Sequence, residues 1–130
     1  MQSNSSMRTP LGRVRGLGSA KSGTGHFWLQ RVTAVANVVL TVIFLGIVIS
    51  LFGKPYPAAM ATLSHPLVAI LMLLFVVSGV VHMRLGMQVV IEDYIHGEGF
   101  KIAAVMANTF FAIAIGAACV FAVLKLSFGG

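Results

Sequence analysis

The chain has 130 residues, of which 58% are hydrophobic and only 9% charged, with a mean hydropathy of +0.95. A soluble domain carries roughly 25% charged residues, so a soluble fold is excluded, and at about 20 apolar residues per crossing there is room for three membrane spans and little else. The net charge of +6 comes from nine Lys and Arg against three acids. Most of those cations precede the first apolar run, where positive charge reports topology, and they do not point to nucleic acid.

Residues 1–25, "MQSNSSMRTPLGRVRGLGSAKSGTG", are polar, rich in Gly and Ser and free of acids. They read as a flexible cytoplasmic arm, with a composition shared by organelle transit peptides. Residues 26–130 read as an all-α, three-helix transmembrane domain. The first span is expected from Phe27 or Val32 to Phe52, and "GKPYP" then stops it with one glycine and two prolines. Asn37 and Thr41, four apart on one helical face, are expected to meet a neighbouring helix. The second span runs from about Pro66, suited to a first helical turn, to Ile91. "DYIHGEG", Asp93–Gly99, reads as a polar connection, and the third span as Ile102 to Leu126. Arg8, Arg13, Arg15, Lys21, Arg31 and Lys101 fall on one side, and Lys54 and Lys125 on the other. By the positive-inside rule the N-terminus and the Asp93–Gly99 loop are cytoplasmic. The single cysteine, Cys119, forms no internal disulfide and no zinc pair.

Ionisable residues inside a span are costly and mark a cavity, a cofactor or a protein interface. His82 and Arg84 are two such residues, and neither has an obvious partner within three helices. Gly79 and Gly86 share the face of His82, with Ser78 nearby. The resulting strip admits two readings. One is a flat, open surface for a planar macrocycle whose iron the imidazole reaches. The other is a close helix contact with His82 hydrogen-bonded across it. Arg84 points away from His82 and snorkels to the interface or meets a partner. Glu92, Asp93, Tyr94 and His96 gather at the end of the span, as a solvated helix end or as a hydrogen-bonding site for a lipid-soluble carbonyl compound. At the opening of the first span, Trp28 reads as an interface anchor. His26 and Arg31 suit an anionic group, either a lipid phosphate or a cofactor carboxylate. A cation-coupled transporter needs an acid within a span, and all three acids here lie at a helix end.

Two motifs sharpen these alternatives. "H-F-x-x-x-R-x-T-A" opens the first span at His26, and "H-x-x-x-G-M-x-x-V-x-x-D-Y" runs from His82 to Tyr94, followed by "HGEG". In length, spans, topology and both motifs the chain resembles the small hydrophobic anchor subunits of succinate dehydrogenase, usually called D subunits. The resemblance implies two three-helix subunits that jointly hold one haem b, with His82 as one axial ligand. It implies that Tyr94 hydrogen-bonds ubiquinone with Asp93 beside it, and that Arg31, with His26 before it, lies near the haem propionates and the quinone pocket. The implied partners are a second, cytochrome b556-type anchor subunit, an iron–sulfur subunit and a flavoprotein subunit, in the bacterial cell inner membrane. The succinate site, flavin and iron–sulfur clusters belong to the soluble subunits, so this chain is a non-catalytic-head subunit of an enzyme. The alternatives are the anchor of a fumarate reductase and a purely structural anchor without haem.

Overall fold

The computed structural model describes residues 9–11 and 23–129. The predicted arm, residues 1–25, falls mostly outside that range, and its last three residues are already helical. Four helices follow in order: α1 Gly23–Leu51, α2 Tyr56–Leu63, α3 Pro66–Tyr94 and α4 Glu98–Ser127. No strand occurs among the described residues. Helices α1, α3 and α4 are each long and apolar enough to cross a membrane. The chain is therefore a multi-pass, all-α membrane protein.

Local sequence explains the helix ends. Gly53 adopts a positive φ of 73°, and the Phe52 and Lys54 amides bond to the Ile49 and Leu51 carbonyls, closing α1 with the left-handed turn that glycine takes without strain. The eight-residue α2 was not expected from the sequence. It starts behind Pro55 with Pro57 in its first turn, where a missing N–H costs nothing. His65 then caps α3, its Nδ1 accepting from the Leu67 amide at 3.2 Å, with Pro66 as the first helical residue.

The second and third spans extend further than expected. Helix α3 runs on through Tyr94, and α4 begins at Glu98, so the polar connection shrinks to Ile95–Gly97. Asp93 and Tyr94 are thus last-turn helical residues. Lys101 Nζ donates to the Glu92 carbonyl at 3.0 Å, supplying an otherwise orphaned helix-end acceptor and tying α4 to α3.

Helix α3 is central: α1 and α4 pack against it and scarcely touch each other. Among the described residues only Ala69, Leu85, Ile91, Ala112 and Val123 are buried and apolar, while Val35, Val38, Val42 and Ile49 of α1 are each more than 60% exposed. In a water-soluble protein such a surface would aggregate; here its environment is lipid or other membrane helices.

The two seams on α3 have different chemistry. Along α1, Gln30, Thr33, Asn37, Leu40, Phe44 and Ile47 follow one another at intervals of three and four, the spacing that keeps a stripe on one neighbour. Along α3, Phe75, Ser78, His82, Leu85 and Val89 do the same. The deeper half of this seam is apolar, with Phe44 and Phe75 stacked at 5.1 Å between ring centroids. The half toward the start of α1 is polar. The α3/α4 seam instead relies on small residues. Ala112 is only 1% exposed, and a Cβ added at Gly116 would lie 3.4 Å from Val80 Cγ1. Small residues that let a neighbouring side chain pack against the helix surface, as Val80 does at Gly116, are how membrane helices gain packing energy when burial from water does not operate.

Candidate functional site

The polar half of the α1/α3 seam is organised around Thr33, the one buried polar residue among those described. Its hydroxyl donates back along its own helix to the Leu29 carbonyl at 2.7 Å, with the Gln30 carbonyl at 3.2 Å. Oγ1 also lies 3.1 Å from Nδ1 of His82 on α3. Ser78, one turn before His82, donates to the Thr33 carbonyl at 3.4 Å. Two side chains of α3 therefore converge on a single residue of α1. The expectation that His82 lacks a partner within the chain is overturned: β-branched Thr33, inside an otherwise apolar run, supplies it.

His82 stands sixteen residues in from Pro66 and twelve before Tyr94, well inside the span. Its ring is half-buried, and Nε2 has no hydrogen-bond partner among the described residues. The expected flat strip is half present. A Cβ at Gly79 meets nothing within 4 Å, so that end is open. A Cβ at Gly86 would lie 3.3 Å from Gln30 Nε2, so that end is covered by the α1 amide. The open surface beside His82 is thus smaller than the glycine spacing suggested and lies on the Gly79 side.

These features fit an axial haem ligand. Such a ligand needs one ring nitrogen held by the protein and the other left for the metal, with room beside it. Among the described residues no three His, Cys, Asp or Glu side chains cluster as a protein metal cage, and a single imidazole is what one side of a haem requires.

Toward the start of α1 the seam opens into a cleft of about 440 Å³ lined by His26, Phe27, Gln30, Arg31, Leu85 and Val89. Leu85 and Val89 are one and two turns beyond His82 on the same face. The structure thus brings His26 and Arg31 together on the cleft next to His82. Arg31 is exposed and lies 4.7 Å over the Phe27 ring, a cation–π contact that holds the guanidinium without neutralising it. Trp28 is 61% exposed and meets Phe27 edge-on at 5.9 Å. Two buried oxygens, Gln30 Oε1 and Asn37 Oδ1, have no hydrogen-bond partner.

Asp93 and Tyr94 are not part of this cleft. Both are exposed at the end of α3, Tyr94 at 79%. Beside them Gln88 Nε2 donates to Glu92 Oε1 at 2.8 Å. Arg84 is exposed on the opposite side from His82; its carbonyl, not its guanidinium, makes the inter-helix contact, accepting from Asn108 Nδ2 at 2.9 Å. Thr41 is exposed, so Asn37 shares its seam with Thr33 and Gln30 instead. Gln30, Thr33 and Asn108 are given no functional role by the sequence reading, and Ser78 enters it only as a neighbour of His82. The signal that finds the first two is the three-and-four spacing of polar residues leading to Asn37.

Fold and site together define a three-span helical membrane protein whose central span carries one imidazole tethered to the first span. Comparison with known proteins makes this specific. A family model described as succinate dehydrogenase/fumarate reductase transmembrane subunit matches residues 5–123. The chain is 37% identical over 121 residues to the succinate dehydrogenase hydrophobic membrane anchor subunit of Paracoccus denitrificans, covering 93% of each chain. It is 33% identical over 106 residues to the subunit of that name from Rickettsia bellii, covering 82% of this chain and 85% of the relative. It is 34% identical over 99 residues to the succinate dehydrogenase membrane anchor subunit of Reclinomonas americana, covering 73% and 82%. The chain belongs to the succinate dehydrogenase/fumarate reductase transmembrane subunit family. No solved structure gives a significant match.

Proposed function

We propose that this chain is the hydrophobic anchor subunit of a succinate:quinone oxidoreductase, contributing His82 as one axial ligand of a shared haem b and Tyr94 to a ubiquinone-reducing site. The observation that carries the reading is His82 itself: an imidazole inside a span, tethered through Nδ1 to Thr33 and without a hydrogen-bond partner at Nε2 among the described residues. Haem, when bound, supplies a one-electron carrier within the membrane. His26 and Arg31 line the adjoining cleft, where a cation and a hydrogen-bonding ring suit the carboxylates of such a group.

Tyr94 stands twelve residues beyond His82, about 18 Å along the helix at 1.5 Å per residue. Its phenol donates a hydrogen bond to a quinone carbonyl and so stabilises the charge that develops on reduction. Asp93 beside it passes protons from water. The exposure of both side chains leaves them available to complete a pocket with other subunits. The partners are a second, cytochrome b556-type anchor subunit, the iron–sulfur subunit and the flavoprotein subunit. The complex sits in the bacterial inner membrane with the N-terminus of this chain in the cytoplasm, the side on which the excess Lys and Arg fall.

Replacing His82 tests the central assignment. In the purified complex His82→Leu is expected to change the reduced α band or the midpoint potential of the b haem. A haem spectrum and potential identical to wild type would overturn it.

A further inference from the structure

We infer that Thr33 is a positioning residue for His82, fixing the imidazole tautomer that leaves Nε2 available to iron. The inference rests on the haem reading above and deepens it. A threonine hydroxyl has one proton. Carbonyl oxygens only accept, so the 2.7 Å contact with Leu29 O and the 3.2 Å contact with Gln30 O both claim that proton. Toward His82 the Thr33 oxygen has only lone pairs left to offer. The 3.1 Å contact is then a hydrogen bond donated by Nδ1–H of His82. A neutral imidazole with its proton on Nδ1 carries its free lone pair on Nε2, the nitrogen without a partner among the described residues.

Three features make Thr33 fit for this task. At 7% exposure it is closed off from water, so no solvent molecule readily replaces its hydroxyl. Its donation to the backbone polarises the oxygen and makes it the better acceptor. Its own carbonyl receives Ser78 at 3.4 Å, which pins α1 against α3 one turn from His82. The ligand is thus oriented from a different span. A hydrogen bond accepted from the far ring nitrogen strengthens an imidazole ligand as an electron donor, which favours oxidised over reduced iron.

The test compares Thr33→Val, which keeps the shape and removes the hydroxyl, with Thr33→Ser, which keeps the hydroxyl, in the purified haem-loaded complex. Thr33→Val is expected to raise the haem midpoint potential and alter the low-spin ferric EPR signal, which reports ligand orientation. Thr33→Ser is expected to restore both. Thr33→Ala removes the same hydroxyl and is read the same way where the valine variant assembles poorly. A wild-type potential and EPR signal in the hydroxyl-free variants, or a shift that serine fails to reverse, would overturn the role of Thr33. His82→Leu in the same preparation separates the two layers. If it too leaves the haem unchanged, the ligand assignment itself is wrong; if it alters the haem while the Thr33 variants do not, only the positioning role falls.

Discussion

The two seams that α3 makes with its neighbours bury little surface and rely on different physics. Against α4 it meets Ala112 and Gly116 with Val80, and the helices come close because the side chains are small. Against α1, in the half near His82, it meets Thr33 through hydrogen bonds from His82 and Ser78, and Gln30 lies over Gly86. Between lipid-embedded helices neither seam gains from expelling water. Around Gly116 the α3/α4 contact draws on dispersion, with Asn108 and Lys101 donating to α3 carbonyls nearer its end. The polar half of the α1/α3 seam pairs the side chains of Thr33 and His82. Around Ala112 and Gly116 the α3/α4 seam gives up side-chain chemical groups to gain proximity. The polar seam keeps them, and two of its buried oxygens remain without partners. A seam that carries an unsatisfied polar cost is where function is to be sought, since packing alone gives no reason to retain those groups.

The largest effect is expected at Ala112, the most buried position between α3 and α4. Ala112→Phe drives a ring into a position that is 1% exposed in the alanine protein. Overpacking of this kind costs about 1–3 kcal/mol or more, and this variant is expected at the upper end. The complex should lose thermal stability or fail to assemble, as seen by size-exclusion chromatography in detergent. A wild-type melting profile would show that the α3/α4 seam is not close-packed.

Tyr94 lies on neither seam, and Tyr94→Phe tests the exposed end of α3 against both. It removes one donor and keeps the ring. Succinate–quinone turnover should fall several-fold to tenfold, on the order of 1 kcal/mol for an unmet polar partner. Succinate oxidation with an artificial acceptor drawing on the soluble subunits should hold at the wild-type rate. Equal losses in both assays would assign Tyr94 to assembly.

Two polar contacts that do not involve His82 set the scale of the hydrogen-bonded contribution. Asn108→Ala deletes the 2.9 Å bond to the Arg84 carbonyl, and Ser78→Ala the 3.4 Å bond to the Thr33 carbonyl. Inter-helix hydrogen bonds in membranes average about 0.6 kcal/mol. Each variant should therefore lower the unfolding midpoint only slightly, the asparagine more than the serine because its bond is shorter. A loss above about 2 kcal/mol in either would mean that a network, and not one bond, had been removed.

The smallest effects separate the seams most sharply. Gly116→Ala places its new methyl 3.4 Å from Val80 Cγ1, an ordinary van der Waals contact, and gains helix propensity worth about 0.5–1 kcal/mol. It should be neutral or slightly stabilising. Gly86→Ala meets Gln30 Nε2 at 3.3 Å, and the amide must shift by a few tenths of an ångström. Its stability change should be equally small, but it should perturb the haem spectrum, because Gln30 lies one turn from Thr33. A silent spectrum in Gly86→Ala would detach Gln30 from the His82 environment.

Much of this architecture is legible in the sequence alone. Three apolar runs, each bounded by Gly, Pro or a charge cluster, imply three spans because backbone polar groups in lipid must pair within a helix. The end of the first span was placed within one residue, since Gly53 and the following prolines leave the chain little choice. The polar ends of α3 and α4 were placed too short. Glu92, Asp93, Tyr94 and Glu98 to Lys101 look like a loop by hydropathy, yet helices continue past the apolar core into the interface. The short α2 was invisible because eight residues carry too few turns for periodicity to register.

His82 stands out as the anomalous residue without any fold, since an ionisable group in an apolar run is conspicuous. The spacing from His82 to Asp93 and Tyr94 points to the family in the same way. Which residue answers His82 was decided only by the tertiary structure. Asn37 has a hydroxyl-bearing residue four positions away in either direction, Thr33 and Thr41, and helical spacing treats the two alike. The antiparallel approach of α1 to α3 turns Thr33 inward and leaves Thr41 exposed. The same approach covers Gly86 with Gln30 and leaves Gly79 open, although the two glycines look equivalent along the helix. A one-dimensional pattern fixes which residues share a face, but the register against a second helix selects the part of that face that meets protein, and here that choice sets the environment of both imidazole nitrogens.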